Sequence, residues 1–122
     1  MNYKNKLDRI FSIFIRKRDT KEGYGFCISC GKPITFETCD CGHYINRVHM
    51  STRYDEMNCN GQCKKCNRFD EGNIQGYRKG LIKKYGLEKV ELLELKKYNN
   101  AHFNETIFKE LIKEYQNKIK SL

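Results

Sequence analysis

The stretch that decides the fold covers residues 27–73 and contains Cys27-Ile28-Ser29-Cys30, Gly42-His43-Tyr44, Asn58, Cys63-Lys64-Lys65-Cys66-Asn67 and Gly72-Asn73. Its two Cys-x-x-Cys pairs place four thiols in two tight turns that are far apart in the chain. This is the pattern that a tetrahedral zinc site requires. We therefore predict a structural Zn²⁺ ion bound by Cys27, Cys30, Cys63 and Cys66.

Three further cysteines leave an alternative, in which Cys39, Cys41 or Cys59 replaces one member of this set. A single residue separates Cys39 from Cys41, so both cannot easily bind one ion in knuckle geometry, and we expect free thiols there. Redox chemistry is a third interpretation, but it needs only one Cys-x-x-Cys pair, usually at a helix start. Two pairs argue against it.

The length of 122 residues predicts one domain, 1–122. Only 39% of the residues are hydrophobic and there is no Trp, so the core is small. A metal that closes a long loop matters for the folding of such a chain. We divide the domain into an N-terminal helix (5–19), a zinc-bound core (24–85) and C-terminal helices (87–122).

The chain is basic, with 24 Lys and Arg against 15 Asp and Glu and a net charge of +9. Four thiolates on one Zn²⁺ contribute about −2, which leaves a clear positive charge. The expected partner is a polyanion, and nucleic acid fits better than a membrane because no long apolar helix accompanies the basic residues. The alternative is that the lysines only keep the protein soluble.

Cysteine usage predicts a reducing, cytoplasmic compartment. The seven cysteines are an odd number, the start of the chain (1–9) is polar and lacks a signal peptide, and no apolar run approaches membrane-spanning length. We therefore expect metal ligation in place of disulfides.

Helical periodicity appears at both ends of the chain. In 5–19 an apolar stripe, opposite a basic face, predicts an amphipathic helix that packs on the zinc region with its basic end free for phosphate. The alternative is a solvated basic face. Helical patterns follow from Asn67 to a C-cap at Gly86, over 87–98, and after an N-cap at Asn104.

Strand signals are short. Segments 33–36 and 43–45 are β-branched or aromatic, and together they predict a hairpin or ribbon tied by the metal. Gly31 suits the positive φ that turns the backbone around an ion. Segment 47–60 is irregular and polar, as is typical of a functional loop.

The same stretch holds groups suited to hydrolysing a phosphodiester. Neutral histidine is a good base near neutral pH, and His43 is placed for that role. Asn67 follows a predicted zinc ligand, and its amide oxygen is a hard donor for Mg²⁺ or Mn²⁺. The alternative is a zinc-ribbon module in which His43 is only a polar strand residue.

The order Cys-x-x-Cys, His, Asn, Cys-x-x-Cys-Asn resembles the HNH, or ββα-metal, nuclease motif in its zinc-bound form. The chain resembles more closely, over nearly its whole length, the NinG/Rap family of lambdoid phage recombination endonucleases. The matching blocks are Phe11-Ser12-Ile13-Phe14-Ile15-Arg16, Gly23-Tyr24, Cys27 to Lys32, Cys41-Gly42-His43-Tyr44-Ile45 with Arg47, Arg53-Tyr54-Asp55-Glu56 with Asn58, Gln62-Cys63, Cys66-Asn67, Gly72-Asn73, Tyr77-Arg78 with Leu81, Gly86 and Val90.

This resemblance implies a metal-dependent endonuclease that cuts branched DNA, such as Holliday junctions and D-loops, during phage recombination. It implies that His43 is the general base, that Asn67 is a metal ligand and that Asn58 braces the loop that orients the histidine. The implied DNA contacts are Arg47, Arg53, Asn73 and Arg78. The implied fold is α+β, a small zinc-stapled HNH-like core, similar to that of endonuclease VII, flanked by N-terminal and C-terminal helices.

One position departs from the HNH pattern. Many HNH sites have Asp or His directly before the base as a second metal ligand, and here that residue is Gly42. The candidates to replace it are Asp40, Asp55, Glu56 and Asn73, and we rank Asp40 first because it is near His43.

Two alternative functions remain at this stage, a non-catalytic zinc module that recognises nucleic acid and an HNH nuclease that cuts plain duplex DNA. A resolvase that cuts two symmetric strands acts most simply as a homodimer. Its interface would be the last helix, with Phe108, Leu111, Ile112 and Tyr115, unless that helix packs on the core of its own chain.

Overall fold

The computed structural model describes residues 2–122; Met1, the first residue of the predicted domain, lies outside them. The helices are α1 (Tyr3–Asp19), α2 (Met50–Arg53), α3 (Ile74–Tyr85), α4 (Leu87–Lys96) and α5 (Glu105–Lys120), with one π-helical turn at Lys65–Phe69. The strands are β1 (Gly25–Phe26), β2 (Pro33–Ile34), β3 (Cys39–His43) and β4 (Cys59–Cys63). The mixed α+β class is confirmed. That residues 1–122 form a single domain stays a prediction.

Helix α1 packs on α5 and forms the larger core. Asn2 caps α1 by accepting a hydrogen bond from the Asn5 amide at 3.0 Å. The predicted stripe is buried, with Phe11 and Tyr115 edge to face at 4.9 Å between ring centroids. The apolar face of α5 is therefore used within the chain, which is the second of the two roles expected for it.

The strands form two antiparallel pairs, β1 with β2 and β3 with β4. The predicted hairpin between 33–36 and 43–45 is wrong, because His43 pairs with Cys59 and Asp40 with Gln62. Strand β4 has no apolar alternation, because Asn60 and Gln62 are polar and yet buried. The Asn60 amide donates to Met57 and Tyr77 and the Gln62 amide donates to Ser29 and Gly72, whereas Gln62 Oε1 is buried without a partner. Periodicity therefore gives no sign of this strand.

The segment after the second cysteine pair is not one continuous helix. The π-helical turn ends at Phe69, and positive φ angles at Glu71, Gly72 and Asn73 (51°, 81° and 41°) reverse the backbone before α3. The predicted start at Asn67 is therefore wrong, and the predicted loop 47–60 contains α2 and the first residues of β4.

The predicted helix ends are confirmed. Gly86 ends α3 with a φ of 93°, and its amide donates to the Ile82 carbonyl at 2.8 Å. Asn104 caps α5 by accepting from the Ile107 amide at 2.9 Å. Gly31 has the expected positive φ of 77°. These positions follow local rules of chain termination and turning, so sequence is enough to find them.

A second core holds α3 and α4 against the end of β3. The fully buried Tyr77 donates its hydroxyl to the Gly42 carbonyl at 2.7 Å and accepts a hydrogen bond from the Asn60 amide at 3.2 Å. One side chain of α3 thus contacts both β3 and β4, and it holds the helix behind the strands that carry the site.

Candidate metal centre and histidine cleft

The four predicted zinc ligands come together in space. Their sulfur atoms all lie within 4.8 Å of one another, and the Sγ atoms of Cys30 and Cys63 are 3.7 Å apart. A Zn–S bond of about 2.3 Å places the sulfurs of a regular tetrahedron about 3.8 Å apart, whereas a disulfide requires about 2.05 Å. The spacing fits a four-thiolate Zn²⁺ site.

The surroundings of the four thiols affect their ionisation differently, and burial raises the pKa of Cys30. Burial opposes ionisation of Cys27, but hydrogen bonds from the backbone of Cys63, Cys30 and Ser29 outweigh it and lower its pKa. Burial raises the pKa of Cys66 to about 12, although the Asn73 amide donates to its sulfur at 3.4 Å. Zinc binding must therefore displace protons, at least from Cys66.

His43 ends β3, and its Nε2 lies 3.0 Å from the Arg53 carbonyl oxygen. Because a carbonyl can only accept, Nε2 carries the proton in the neutral ring and the lone pair is on Nδ1. Burial lowers the pKa of His43, the hydrogen bond to the carbonyl opposes this shift, and the positive charge of Arg47 adds to it. His43 is thus neutral at pH 7 and can accept a proton.

Asn58 connects the two ends of the segment that follows His43. The side chain is fully buried, accepts from the Ile45 amide at 2.8 Å and donates to the Ile45 and Thr52 carbonyls at 3.1 Å each. Thr52 directly precedes Arg53, whose carbonyl contacts His43. Asn58 therefore holds the backbone that carries the hydrogen-bond acceptor of the histidine.

Asn67 and His43 line the same open cleft of about 740 Å³. The Asn67 amide donates to Asp40 at 3.0 Å, which leaves its own carbonyl oxygen as a hard donor. Burial opposes ionisation of Asp40, but hydrogen bonds from Arg68 and Asn67 outweigh it and lower its pKa. Sequence reasoning missed Arg68, which holds Asp40 with two bonds of 2.9 Å, and Glu71, which also lines the cleft.

The other candidates for a second ligand are engaged elsewhere. Asp55 pairs with Lys96 at 2.6 Å, Glu56 accepts from Tyr115 and Lys118, and Asn73 caps α3. A Cβ at Gly42 would lie 2.0 Å from the Gln62 side-chain oxygen, so Asp or His there would require the Gln62 side chain to move. The present packing of Gln62 across the strand pair thus depends on the glycine.

Arg47, which precedes α2, and Arg53, the last residue of α2, are both predicted to contact phosphate, but their side chains differ in exposure. The Arg47 side chain is 59% exposed, lines the cleft and lies 3.4 Å from Asp8. The Arg53 side chain is only 7% exposed and binds Asp8 with bonds of 3.0 and 2.6 Å. Burial opposes ionisation of Asp8, but hydrogen bonds from Arg53 and Tyr54 outweigh it and lower its pKa. This geometry gives Arg53 a structural role and does not support a phosphate contact.

The remaining predicted DNA contacts also have partners within the chain. Arg78 binds Glu94 with two hydrogen bonds of 2.8 and 3.1 Å. The Asn73 side chain accepts a hydrogen bond from the Gly76 amide and donates one to the Cys66 sulfur. At the basic end of α1, Arg18 is not free as expected, because it donates to Asp19 and to the Glu56 and Cys59 carbonyls. The prediction for that helix end rested on its content of basic residues, which does not show whether those residues form hydrogen bonds or ion pairs within the chain.

The fold and the site define a small α+β protein with short antiparallel sheets and a cysteine group that can hold a metal ion. A family model described as "Bacteriophage Lambda NinG protein" matches residues 1–122. The chain belongs to the NinG family. Across residues 2–122, no helix is both long and apolar enough to cross a bilayer.

Individual relatives agree with this assignment. Protein ninG of Escherichia phage lambda is 36% identical over 110 residues, which cover 89% of this chain and 52% of that protein. Protein ninG of Salmonella phage P22 has the same identity and coverage, and that of Enterobacteria phage H19B is 38% identical over 90 residues, covering 73% of this chain and 42% of that protein. The chain spans about half the length of the curated relatives it matches. No solved structure matches it significantly.

Proposed function

We propose that this chain is a metal-dependent, structure-specific DNA endonuclease with an HNH-type core, which hydrolyses phosphodiester bonds in branched DNA during phage recombination. The observation that carries the proposal is the state of His43, a neutral imidazole with its proton fixed on Nε2, in a cleft that it shares with Asn67. If the chain were only a zinc-bound binding module, His43 would be a polar strand residue and would need neither a fixed tautomer nor a place in a cleft.

His43 acts as the general base in this mechanism. Its Nδ1 takes a proton from a water molecule, the water oxygen forms a bond to phosphorus, and the bond from phosphorus to the 3′ oxygen breaks. The Arg53 carbonyl keeps the ring in the required tautomer and stabilises the imidazolium that forms, because it accepts a hydrogen bond from Nε2–H before and after the proton transfer. Asn58 keeps that carbonyl in place.

Asp40 and Asn67 would hold the catalytic Mg²⁺ or Mn²⁺. A carboxylate and an amide oxygen are the hard donors that these ions prefer, and the two side chains are already in contact. When bound, the ion supplies positive charge for the phosphate and the departing oxygen. Arg68 pairs with Asp40 through two hydrogen bonds, and its side chain is 55% exposed, so an ion bound to Asp40 would have to displace it from this carboxylate.

The positive charge that favours DNA belongs to the chain as a whole, which carries +9. Arg47 and Lys97 line the cleft, but Glu71 and Glu94 line it too, so the cleft by itself is not a positive patch. Contacts to phosphate position DNA without reading its sequence, which suits an enzyme that recognises branches by shape. We include a homodimer in the proposal, since two symmetric cuts need two sites.

The test is cleavage of a four-way junction in Mg²⁺ or Mn²⁺, next to a linear duplex of the same sequence. We expect wild-type protein to cut the junction and His43→Ala to bind it without cutting. His102→Ala is the matched control, because His102 is exposed and outside the cleft. Binding without cleavage by the wild type in both ions would support a zinc-bound recognition module, and equal cutting of junction and duplex would support a plain duplex nuclease.

A further inference from the structure

Cys41, His43 and Cys59 form a second group of metal-binding side chains, separate from the four-cysteine site. One ligand atom from each lies within 4.8 Å of the others. His43 and Cys59 are directly opposite in the strand pair, and Cys41 is two residues before His43 on the same face. The thiol of Cys41, expected from the sequence to be free, lies beside His43 and Cys59, and Cys39 is not part of this group.

The chemistry of this group selects a thiophilic ion. Two thiolates and one imidazole are a donor set for Zn²⁺ or Cd²⁺, and they are poorly suited to Mg²⁺. Two thiolates also cancel the charge of a divalent ion, so the complex is neutral. A neutral complex has a small desolvation penalty, which allows the fully buried Cys59 to be one of its ligands. Metal binding releases the two thiol protons to solvent.

Space for a fourth ligand is present beside the group. A cavity of about 110 Å³ borders Cys41 and His43 and is also lined by Asp8, Ser12 and Tyr54. One water molecule occupies about 30 Å³ in the liquid, so the cavity has room for a water that completes a tetrahedron. Three protein ligands and one water are the usual composition of an open zinc site.

We propose that Cys41, His43 and Cys59 bind a second Zn²⁺ ion, more weakly than the four-cysteine site, and that this ion inhibits the protein. The inhibitory part rests on the proposed function. A neutral imidazole has one nitrogen lone pair, and a metal ion that binds either nitrogen uses it. His43 cannot then take a proton from water, so the loaded protein has no base.

The binding test is independent of activity. We titrate the zinc-loaded protein with further Zn²⁺, count ions per chain by native mass spectrometry, and repeat with Cd²⁺. We expect two ions in wild type, and at least about 100-fold weaker second binding in Cys41→Ala, because losing a ligand costs more than losing its hydrogen-bonded support. Cys59→Ala should do the same, whereas Cys39→Ala, the control on the same strand, should keep two ions.

Either of two outcomes overturns the site: one ion in wild type at saturating Zn²⁺, or a second ion that Cys41→Ala and Cys59→Ala both retain. Cys41 is partly exposed, so its alanine variant should fold even if that of the buried Cys59 does not. The activity arm follows junction cleavage in Mg²⁺ with rising Zn²⁺. Each variant is compared with its own rate without added Zn²⁺, and Cys41→Ala should need at least about 100-fold more Zn²⁺ than wild type for the same fractional inhibition.

The two proposals fail in different ways. If wild-type protein binds two ions but cuts no DNA, the second site stands and the nuclease proposal fails. If Cys41→Ala is inhibited at the same Zn²⁺ concentration as wild type, Zn²⁺ acts elsewhere, and the inhibitory role is refuted while the nuclease proposal stands.

Discussion

Replacing Asn58 by alanine tests how the backbone around His43 is held. The side chain makes three buried hydrogen bonds, to the Ile45 amide and to the Ile45 and Thr52 carbonyls. Each contributes about 1 kcal/mol net to stability, and the Ile45 amide loses its side-chain partner, so we expect a loss of about 3 kcal/mol. With a urea m-value of about 2 kcal/mol/M, the unfolding midpoint should fall by about 1.5 M.

The assay combines urea unfolding, followed by far-UV circular dichroism on zinc-loaded protein, with junction cleavage well below the transition. Asn60→Ala is the matched control. Asn60 lies two residues further along the chain, in β4, and is as deeply buried, but it donates to Met57 and Tyr77 and does not brace the segment after His43. We expect both variants to lose stability and only Asn58→Ala to lose most of its cleavage while folded.

Two results would refute this reasoning. A destabilisation of less than about 1 kcal/mol for Asn58→Ala would show that water replaces the lost bonds. Equal losses of cleavage in Asn58→Ala and Asn60→Ala would show that activity follows stability alone, and that the brace has no special effect on His43.

Three further predictions separate scaffold from chemistry. Cys63→Ser should lose both zinc and fold, whereas Asn67→Ala should keep about one zinc per chain. Elemental analysis measures the zinc and circular dichroism the fold. Equal loss of zinc in both variants would contradict the assignment of Cys63 to the zinc site and of Asn67 to the catalytic site. Asp8→Asn should cost about 3 kcal/mol at pH 7 by leaving Arg53 buried without its counter-charge. The cleavage rate should rise with pH through the lowered pKa of His43 and be level above about pH 7, because the imidazole is then neutral. A pH–rate profile whose rise is centred above pH 7 would exclude His43 as the base.

The Asp8 prediction also fixes the direction of a pH dependence. The folded-state pKa of Asp8 is lowered, so the ion pair contributes its full stability above the unfolded value of about 3.9 and loses it as pH falls through the folded value. The stability difference between wild type and Asp8→Asn should therefore stay constant in urea melts from pH 7 to about pH 5, a range above the titration of Asp8 in both states in which the zinc thiolates stay bound. A difference that shrinks within that range would argue against the charge of Asp8 as its cause.

Residue type and spacing were enough to predict the features that depend on near neighbours in the chain. The apolar stripe of α1, the caps at Gly86 and Asn104, the turn at Gly31 and the two cysteine pairs each follow from a rule that acts over a few residues. The resemblance to a phage family also came from ordered blocks of sequence, and the family is confirmed.

The sequence by itself determined which residue types are available, namely four thiols in two turns, a histidine, the amides near them and a surplus of positive charge. Only the tertiary structure decided which of these groups are free to act. Asp8 in α1 pairs with the buried Arg53, Arg68 pairs with Asp40, and β4 brings Cys59 next to His43. The physical reason is that pairing and burial depend on contacts between elements far apart in the chain, whereas periodicity and spacing report only on a chain's nearest neighbours.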